Sequence, residues 1–447
     1  MGDAKADLRA AWDEMMAELA RARDAIDDPS LHPAPPTERN LAEGYRYLLG
    51  QVSGAIERAL FEDPAFPYVR QAIHVRAKAT IDNSDAIYFS APVDGNLSYR
   101  LRGGPPGPGR RPPHYLIFEL ASGYAGDSGS LTELRPGSRA MTGSLDSTKL
   151  AVEADGSFEI LLAPERPAGH TGNFIATKKV RRARGAGEPE IEYVARYLSG
   201  RQLFCDWERE DAVPLTIERI GGEGAHPAAP DPAALAARLR RAGGIARKQM
   251  HFWNAFYTQV LETYGKRPGE EGPRFMPRNA FNPPNALGIA TGGGQSTNVY
   301  AGGVFELEPD EALIVETRIP VEPQYIGFHL SNLWGESFDY ANHVSSLNGV
   351  QAERDADGAI RWVIAHRDPG IPNWVDTTGH REGFMAARWA YTEKPPQEIW
   401  PTIAAAKVRF EDIRAQLPTD TRTVSPEERR AQIRVRQEHV QRRYRQF

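Results

Sequence analysis

Trp12, Met15, Met16 and Leu19 recur at helical intervals, with Asp13, Glu14 and Glu18 between them, and predict an amphipathic helix near 4–27. Pro29, Pro33, Pro35 and Pro36 then break the chain, and Asn40 followed by Glu43 has the spacing of a capping box. Leu41, Tyr45, Leu48, Leu49, Val52, Ile56 and Leu60 give the next helix its apolar stripe, which ends near Asp63-Pro64. From about residue 70 the pattern becomes that of short strands: Ala86 to Phe89, Leu97 to Leu101, Tyr115 to Leu120, 158–163 and 191–198. Asp94-Gly95-Asn96 and the Gly/Pro stretch from Gly103 to Pro113 separate them as turns. The Pro-rich residues 225–232 read as a linker, followed by a helix from about Pro232 to Tyr264 with Phe252, Phe256, Val260 and Tyr264 on one side. Strands return over 286–391. Ile403, Ala406, Phe410, Ile413 and Leu417 then read as a helix, and Ser425-Pro426-Glu427-Glu428 is the start signal of another.

The two strand-rich regions repeat one another. Ser144-Leu145-Asp146 answers Ser346-Leu347-Asn348, and Asp155-Gly156 answers Asp357-Gly358 at the same offset. Phe158 to Ala163 matches Ile360 to Ala365, and Pro167 matches Pro369, again at that offset. Asn173-Phe174 corresponds to Asn373-Trp374, Tyr115 to Phe118 parallels Tyr325 to Phe328, and Arg196-Tyr197 is paired with Arg388-Trp389. One Asp-Gly turn matches by chance; an ordered series does not. The expected fold is mainly β with helical additions (α+β): two tandem β-sandwich or jelly-roll units of related sequence. The expected division is N-terminal helices over 1–65, a first unit over 66–224, and a linker with helix over 225–285. A second unit follows over 286–395 and a C-terminal helical tail over 396–447.

Composition narrows the setting. The 41 Gly and 35 Pro among 447 residues suit many turns, and a net charge of -5 leaves no overall footprint for nucleic acid or anionic lipid. Cys205 is the single cysteine, so neither an internal disulfide nor a zinc cluster of thiolates can form. No apolar run reaches the ~20 residues that span a bilayer, and the amphipathic N-terminus is unlike a signal peptide. The cytoplasm is the expected location, with no membrane or nucleic-acid partner.

Several residues of the second unit carry a resemblance. Ala312 to Glu316, Tyr325 to Leu330 with Asn332 and Trp334, Asp357-Gly358, Pro369-Gly370, Asn373 to Thr377 and Arg388-Trp389 resemble the bacterial family called domain of unknown function 1214. The resemblance lies mainly over 300–392 and reaches 70–220 through the repeat. It implies a β-sandwich or jelly roll and supplies no catalytic residues.

The richest polar stretch runs from His329 to His343. If Ile326, Phe328 and Leu330 face a core, alternation puts His329 on the opposite face, and Glu336 and Asp339 follow in the next loop. A histidine with two carboxylates can do general acid–base work; the same residues can simply cap a turn. His329, Glu336 and Asp339 are the catalytic candidates, with Asn332, Trp334, Tyr340, His343, Asn373, Trp374 and Arg388 as ligand-binding candidates. Asn373 and Arg388 have counterparts in the first unit, which also fits a role in holding the fold. In the first unit Glu119 stands where His329 stands in the second.

His343, His366 and His380 lack metal-ligand spacing, so no metal is expected, and no motif calls for an organic cofactor. Gly292 to Thr297 lacks the lysine of a phosphate loop and reads as a mobile loop, with room to cover a pocket. Residues 426–447 carry seven Arg and three Glu, with Ile433, Val440, Tyr444 and Phe447 between them. That helix is expected on the chain's own body or on a partner copy, giving a homo-oligomer. Two functions stay open. One is a small-molecule-binding protein with a pocket in the second unit that acts as a cofactor-independent lyase, isomerase or hydrolase on a hydrophobic or aromatic metabolite. The other is a non-catalytic binder of a hydrophobic ligand or carbohydrate.

Overall fold

Hydrogen-bonded ladders make the duplication explicit. The computed structural model describes residues 2–28, 37–75, 77–135, 137–182, 190–262, 276–286 and 297–444. The first lobe holds β1 (Arg70–Ile73), β2 (Ala86–Pro92), β3 (Tyr99–Gly103), β4 (Tyr115–Ala121), β5 (Met141–Asp146) and β6 (Phe158–Ala163). It continues with β7 (Asn173–Ala176), β8 (Lys178–Arg181), β9 (Ile191–Val194), β10 (Tyr197–Leu203) and β11 (Leu215–Arg219). The second lobe holds β12 (Asn298–Glu306), β13 (Glu311–Arg318), β14 (Tyr325–Ser331), β15 (Ser346–Asn348), β16 (Ile360–Ala365), β17 (Trp374–Asp376), β18 (Glu382–Ala390) and β19 (Thr402–Arg409). Sheet order is β1-β2-β10-β4-β5 over β11-β3-β6-β7 in the first lobe, and β12-β18-β14-β15 over β17-β16-β13-β19 in the second. Apart from β1 and the β8-β9 hairpin, every strand has a partner in the other lobe, including the parallel pairs β6-β7 and β16-β17.

Register fixes the correspondence residue by residue. Glu119 lies opposite Ser144 and Ser199; His329 lies opposite Ser346 and Ala386. Arg201 lies between Tyr88 and Ile117, and Arg388 between Tyr300 and Gly327. Arg388 therefore corresponds to Arg201, which corrects the pairing with Arg196 drawn from sequence. The β8-β9 hairpin, which has no counterpart among the described residues of the second lobe, changes the offset just before this strand.

Alternation sends one face of each sheet inward. Phe118, Leu120, Ile160, Leu162 and Leu198 fill the first core, and Phe328, Leu330, Trp362, Ile364 and Trp389 the second. Asn173 accepts from the Ala151 N–H and donates to its carbonyl, and Asn373 clips Glu353 in the same way, at 2.7–2.8 Å. The stretch expected as a helix at 403–417 begins as strand and turns helical only from Phe410. Residues of β19 pair with β13, Ile403 and Ala405 pack on the core, and a 3-10 turn (Phe410–Asp412) and α4 (Ile413–Gln416) follow. Sheet pairing overrides a spacing that also fits a helix.

Helices close one side. α1 (Gly2–Asp27) lies along α3 (Pro232–Glu262), where Asn254 donates to the Ala25 carbonyl at 2.7 Å. α2 (Glu38–Ile56) starts from Thr37, whose hydroxyl caps the Asn40 N–H; this replaces the expected Asn40–Glu43 capping box. Asn40 instead gives its carbonyl to the Trp334 indole, and Glu43 its carboxylate to His380. Gly44 lets α2 approach that indole, since a Cβ there would meet Trp334 at 2.5 Å.

α5 (Pro426–Arg443) begins with the expected Ser425–Glu428 capping box and packs on its own chain. Its buried face is basic more than apolar: Arg429, Arg436 and Arg443, each a heptad apart, are buried together with His439 and Val440. Arg443 donates to Ser84 of the first lobe, and Arg436 to the carbonyls of Tyr340 and Ser346 in the second. Arg429 lies over Trp374, and Arg436 and Arg443 over Trp207. The helix bridges both lobes. No helix among the described residues is long and apolar enough to cross a membrane. The Gly292 loop lies within 287–296, outside the described residues, apart from Thr297 at its end.

Candidate ligand cavity between the lobes

Residues that alternation turns away from the two cores face each other across a cavity of about 350 Å³. Tyr88, Tyr115, Glu119, Ser199 and Arg201 line it from the first lobe; Tyr300, Tyr325, Ala386 and Arg388 line it from the second. Tyr88 and Tyr300, Tyr115 and Tyr325, and Arg201 and Arg388 occupy equivalent ladder positions, so the two walls come from one repeated set. Trp253, Phe256 and Val260 of α3 supply an apolar third side. Thr80 and Ile81 edge it in the left-handed backbone region, at φ of 66° and 52°. That is a strained state for a β-branched residue. It is held by the Thr80 N–H on the Tyr257 hydroxyl and the Ile81 N–H on the Gly335 carbonyl.

A buried joint fixes the walls. Asp85 of the first lobe accepts from the Tyr325 hydroxyl at 2.6 Å and from the Asn348 amide and Trp207 indole at 2.9 Å. Burial, and then Asp85, pushes the Tyr325 phenol well above its ordinary range, and burial does the same to Tyr115, so both are neutral. Arg201 has Glu119 at 3.9 Å and lies over Tyr88. Arg388 lies over Tyr300 at 5.8 Å, and its buried Nε has no hydrogen-bond partner. Among the described residues no carboxylate is in ion-pair range of it.

His329 is on the face away from the core, as alternation required, and is 1% exposed. Neither ring nitrogen makes a hydrogen bond of normal geometry. Burial, reinforced by Arg388 and only partly offset by the Ile81 backbone, holds its pKa well below the usual value. It is a neutral imidazole beside a guanidinium. Glu336 takes Arg46 of α2 at 2.7 Å and the Asn332 amide at 2.8 Å; burial pushes its pKa up against those two partners. Asp339 caps the Ala341 and Asn342 N–H groups; burial works to raise its pKa, but its bonds to Asn342 and Ala341 and the charge of Lys78 together hold it below the usual value. Each of the three has its own surroundings, and no hydrogen bond joins any two of them.

The other expected ligand-binding residues, Arg388 apart, are tied into the fold. Trp334 anchors α2, Tyr340 bonds the Tyr444 hydroxyl at 2.9 Å, and His343 bonds Asp376 at 2.8 Å. The Trp374 indole donates to the Ala365 carbonyl at 3.0 Å. The polar loop is also joined to the segment before β2: Asp82 takes both the N–H and the hydroxyl of Ser337, and Lys78 donates to the Ser337 and Phe338 carbonyls. Of the ten candidates only Arg388 lines the cavity. The tyrosines and Arg201 are not among those candidates, although outward alternation at matched repeat positions singles them out. No group of three or more His, Cys, Asp or Glu side chains among the described residues is placed to hold a metal ion.

Residues 85–184 match the family model described as protein of unknown function (DUF1214). It is the family that the sequence resembles, and the match falls on the first lobe, where the resemblance came through the repeat. A crystal structure of an uncharacterised protein from Burkholderia cenocepacia is 28% identical, with a TM-score of 0.73 over 92% of this chain and 100% of that one. A protein from Vibrio parahaemolyticus is 12% identical with a TM-score of 0.38, over 87% of this chain and 100% of that one. No curated protein matches.

Proposed function

We propose that the protein binds a small, largely apolar molecule in the cavity between its lobes. The observation that carries this is the meeting of matched tyrosine–arginine walls with the apolar side of α3 around about 350 Å³. That volume suits a ligand of roughly one to three rings, since ligand pockets run from about 300 to 1,000 Å³. The pocket thus belongs to both lobes and not to the second alone. A catalytic version of this function would require the ligand to reach His329, whose neutral ring lies beside Arg388 but outside the lining of the cavity. In that version Glu336 and Asp339 shape the loop behind it. We place the protein in the cytoplasm, where its lone buried thiol stays reduced. The buried face of α5 is committed within the chain, so self-association would use another surface.

The neutral fluorophore N-phenyl-1-naphthylamine tests the cavity. Ala386 lines the second-lobe wall, and Ala386→Trp would fill the space. Wild type should enhance the probe's fluorescence and the filled variant should not. Equal enhancement by a folded Ala386→Trp protein would overturn the proposal.

A further inference from the structure

The two arginines of the cavity are equivalent in the fold and differ in what neutralises them. Glu119 stands 3.9 Å from Arg201. The equivalent position beside Arg388 holds His329, uncharged and buried. A guanidinium cannot shed its proton at neutral pH, and enclosing one without a counter-charge is costly. In the same cavity the Asn298 amide oxygen is buried without a partner, as is the hydroxyl of Tyr391. Resting on the cavity proposed above, we infer that its ligand is an organic acid. Its carboxylate sits on Arg388, and its aromatic or alkyl body lies against Trp253, Phe256 and Val260. The planar fork of Arg388 suits a carboxylate bound through two oxygens, and the ring of Tyr300 backs the cation. The carboxylate supplies from outside what Glu119 supplies to Arg201 from within.

Calorimetry on the full chain with 3-phenylpropionate and 3-phenylpropanol tests this, because the two probes differ only in the acid group. The acid should bind at least about tenfold more tightly, and Arg388→Gln should bring it to the level of the alcohol. Arg388→Lys, which keeps the charge and loses the fork, should fall between them and serves if the Gln variant does not fold. Equal binding of acid and alcohol by wild type would overturn the organic-acid assignment and leave the cavity standing. The assignment also falls if neither probe binds while N-phenyl-1-naphthylamine does, or if inorganic phosphate binds more tightly than the acid. Failure of all these probes would overturn the cavity as well.

Discussion

The first lobe places Glu119, and the second His329, on strands that pair with their neighbours in the same register. Around that position the lobes keep Tyr88 with Tyr300, Tyr115 with Tyr325 and Arg201 with Arg388. One lobe thus carries its own counter-charge and the other leaves an arginine open toward a shared cavity. Ladder hydrogen bonds fix where each side chain points, so exchanging one residue changes the chemistry of a wall without moving it. The lobes differ again at their joint, where the first contributes the acceptor Asp85 and the second the donors Tyr325 and Asn348.

The joint gives the largest expected effect. Asp85→Ala strips a buried acceptor from Tyr325, Asn348 and Trp207 at once and should destabilise the protein by roughly 3–5 kcal/mol in urea unfolding. A loss below about 1 kcal/mol would show that the lobes are held by other contacts.

Acid titration separates the lobes at His329. Its folded pKa is depressed, so below the unfolded value of about 6.5 the unfolded chain binds a proton that the folded chain does not, and stability falls as pH falls. The slope of that loss for this one group is at most about 1.4 kcal/mol per pH unit. His439, buried and likewise depressed, adds a loss of the same sign. His329→Gln should remove only the first contribution, read as a shallower fall of melting temperature with pH. An unchanged slope would mean that the ring is protonated in the folded state.

Exchanging the lobes' chemistry is the sharper test. His329→Glu gives Arg388 the carboxylate that Arg201 has, and binding of 3-phenylpropionate should weaken about tenfold, or about 1.4 kcal/mol. Glu119→Gln should act in the opposite direction. If both substitutions weaken binding equally, the two arginines serve the ligand alike. The asparagine clips compare the lobes in stability alone. Asn173→Ala removes three bonds to backbone and Asn373→Ala two, and each should lower stability by about 1–2 kcal/mol. Asn373 should cost more because it is buried, at 6% exposure. A large change in ligand binding from Asn373→Ala would move that residue into the site.

The duplication is legible in the sequence because turns and strand starts keep one offset from Ser144 to Pro167. The outward placement of His329 follows from alternation alone. Sequence matches Arg388 to the wrong arginine because a hairpin shifts the offset between Asn173 and β10, and Arg196-Tyr197 resembles Arg388-Trp389 locally. Thr402–Arg409 has the alanines that favour a helix, while its pairing with β13 is made by residues far away in sequence. The cavity cannot be read from either repeat, since each supplies one wall. In α5 the apolar positions are the obvious candidates for burial, yet the fold buries three arginines a heptad apart.

The bridging position of α5 has a consequence for how the protein is made. Both lobes leave the ribosome before residues 426–443, and domains emerging first can collapse as units while the rest is still being added. Until Arg436 and Arg443 arrive, the aromatic surface of Phe204, Trp207 and Tyr340 that they later cover stays open to water and to chaperones. A chain released without residues 426–447 should therefore be captured by chaperones even with both sandwiches formed, and the full chain should not.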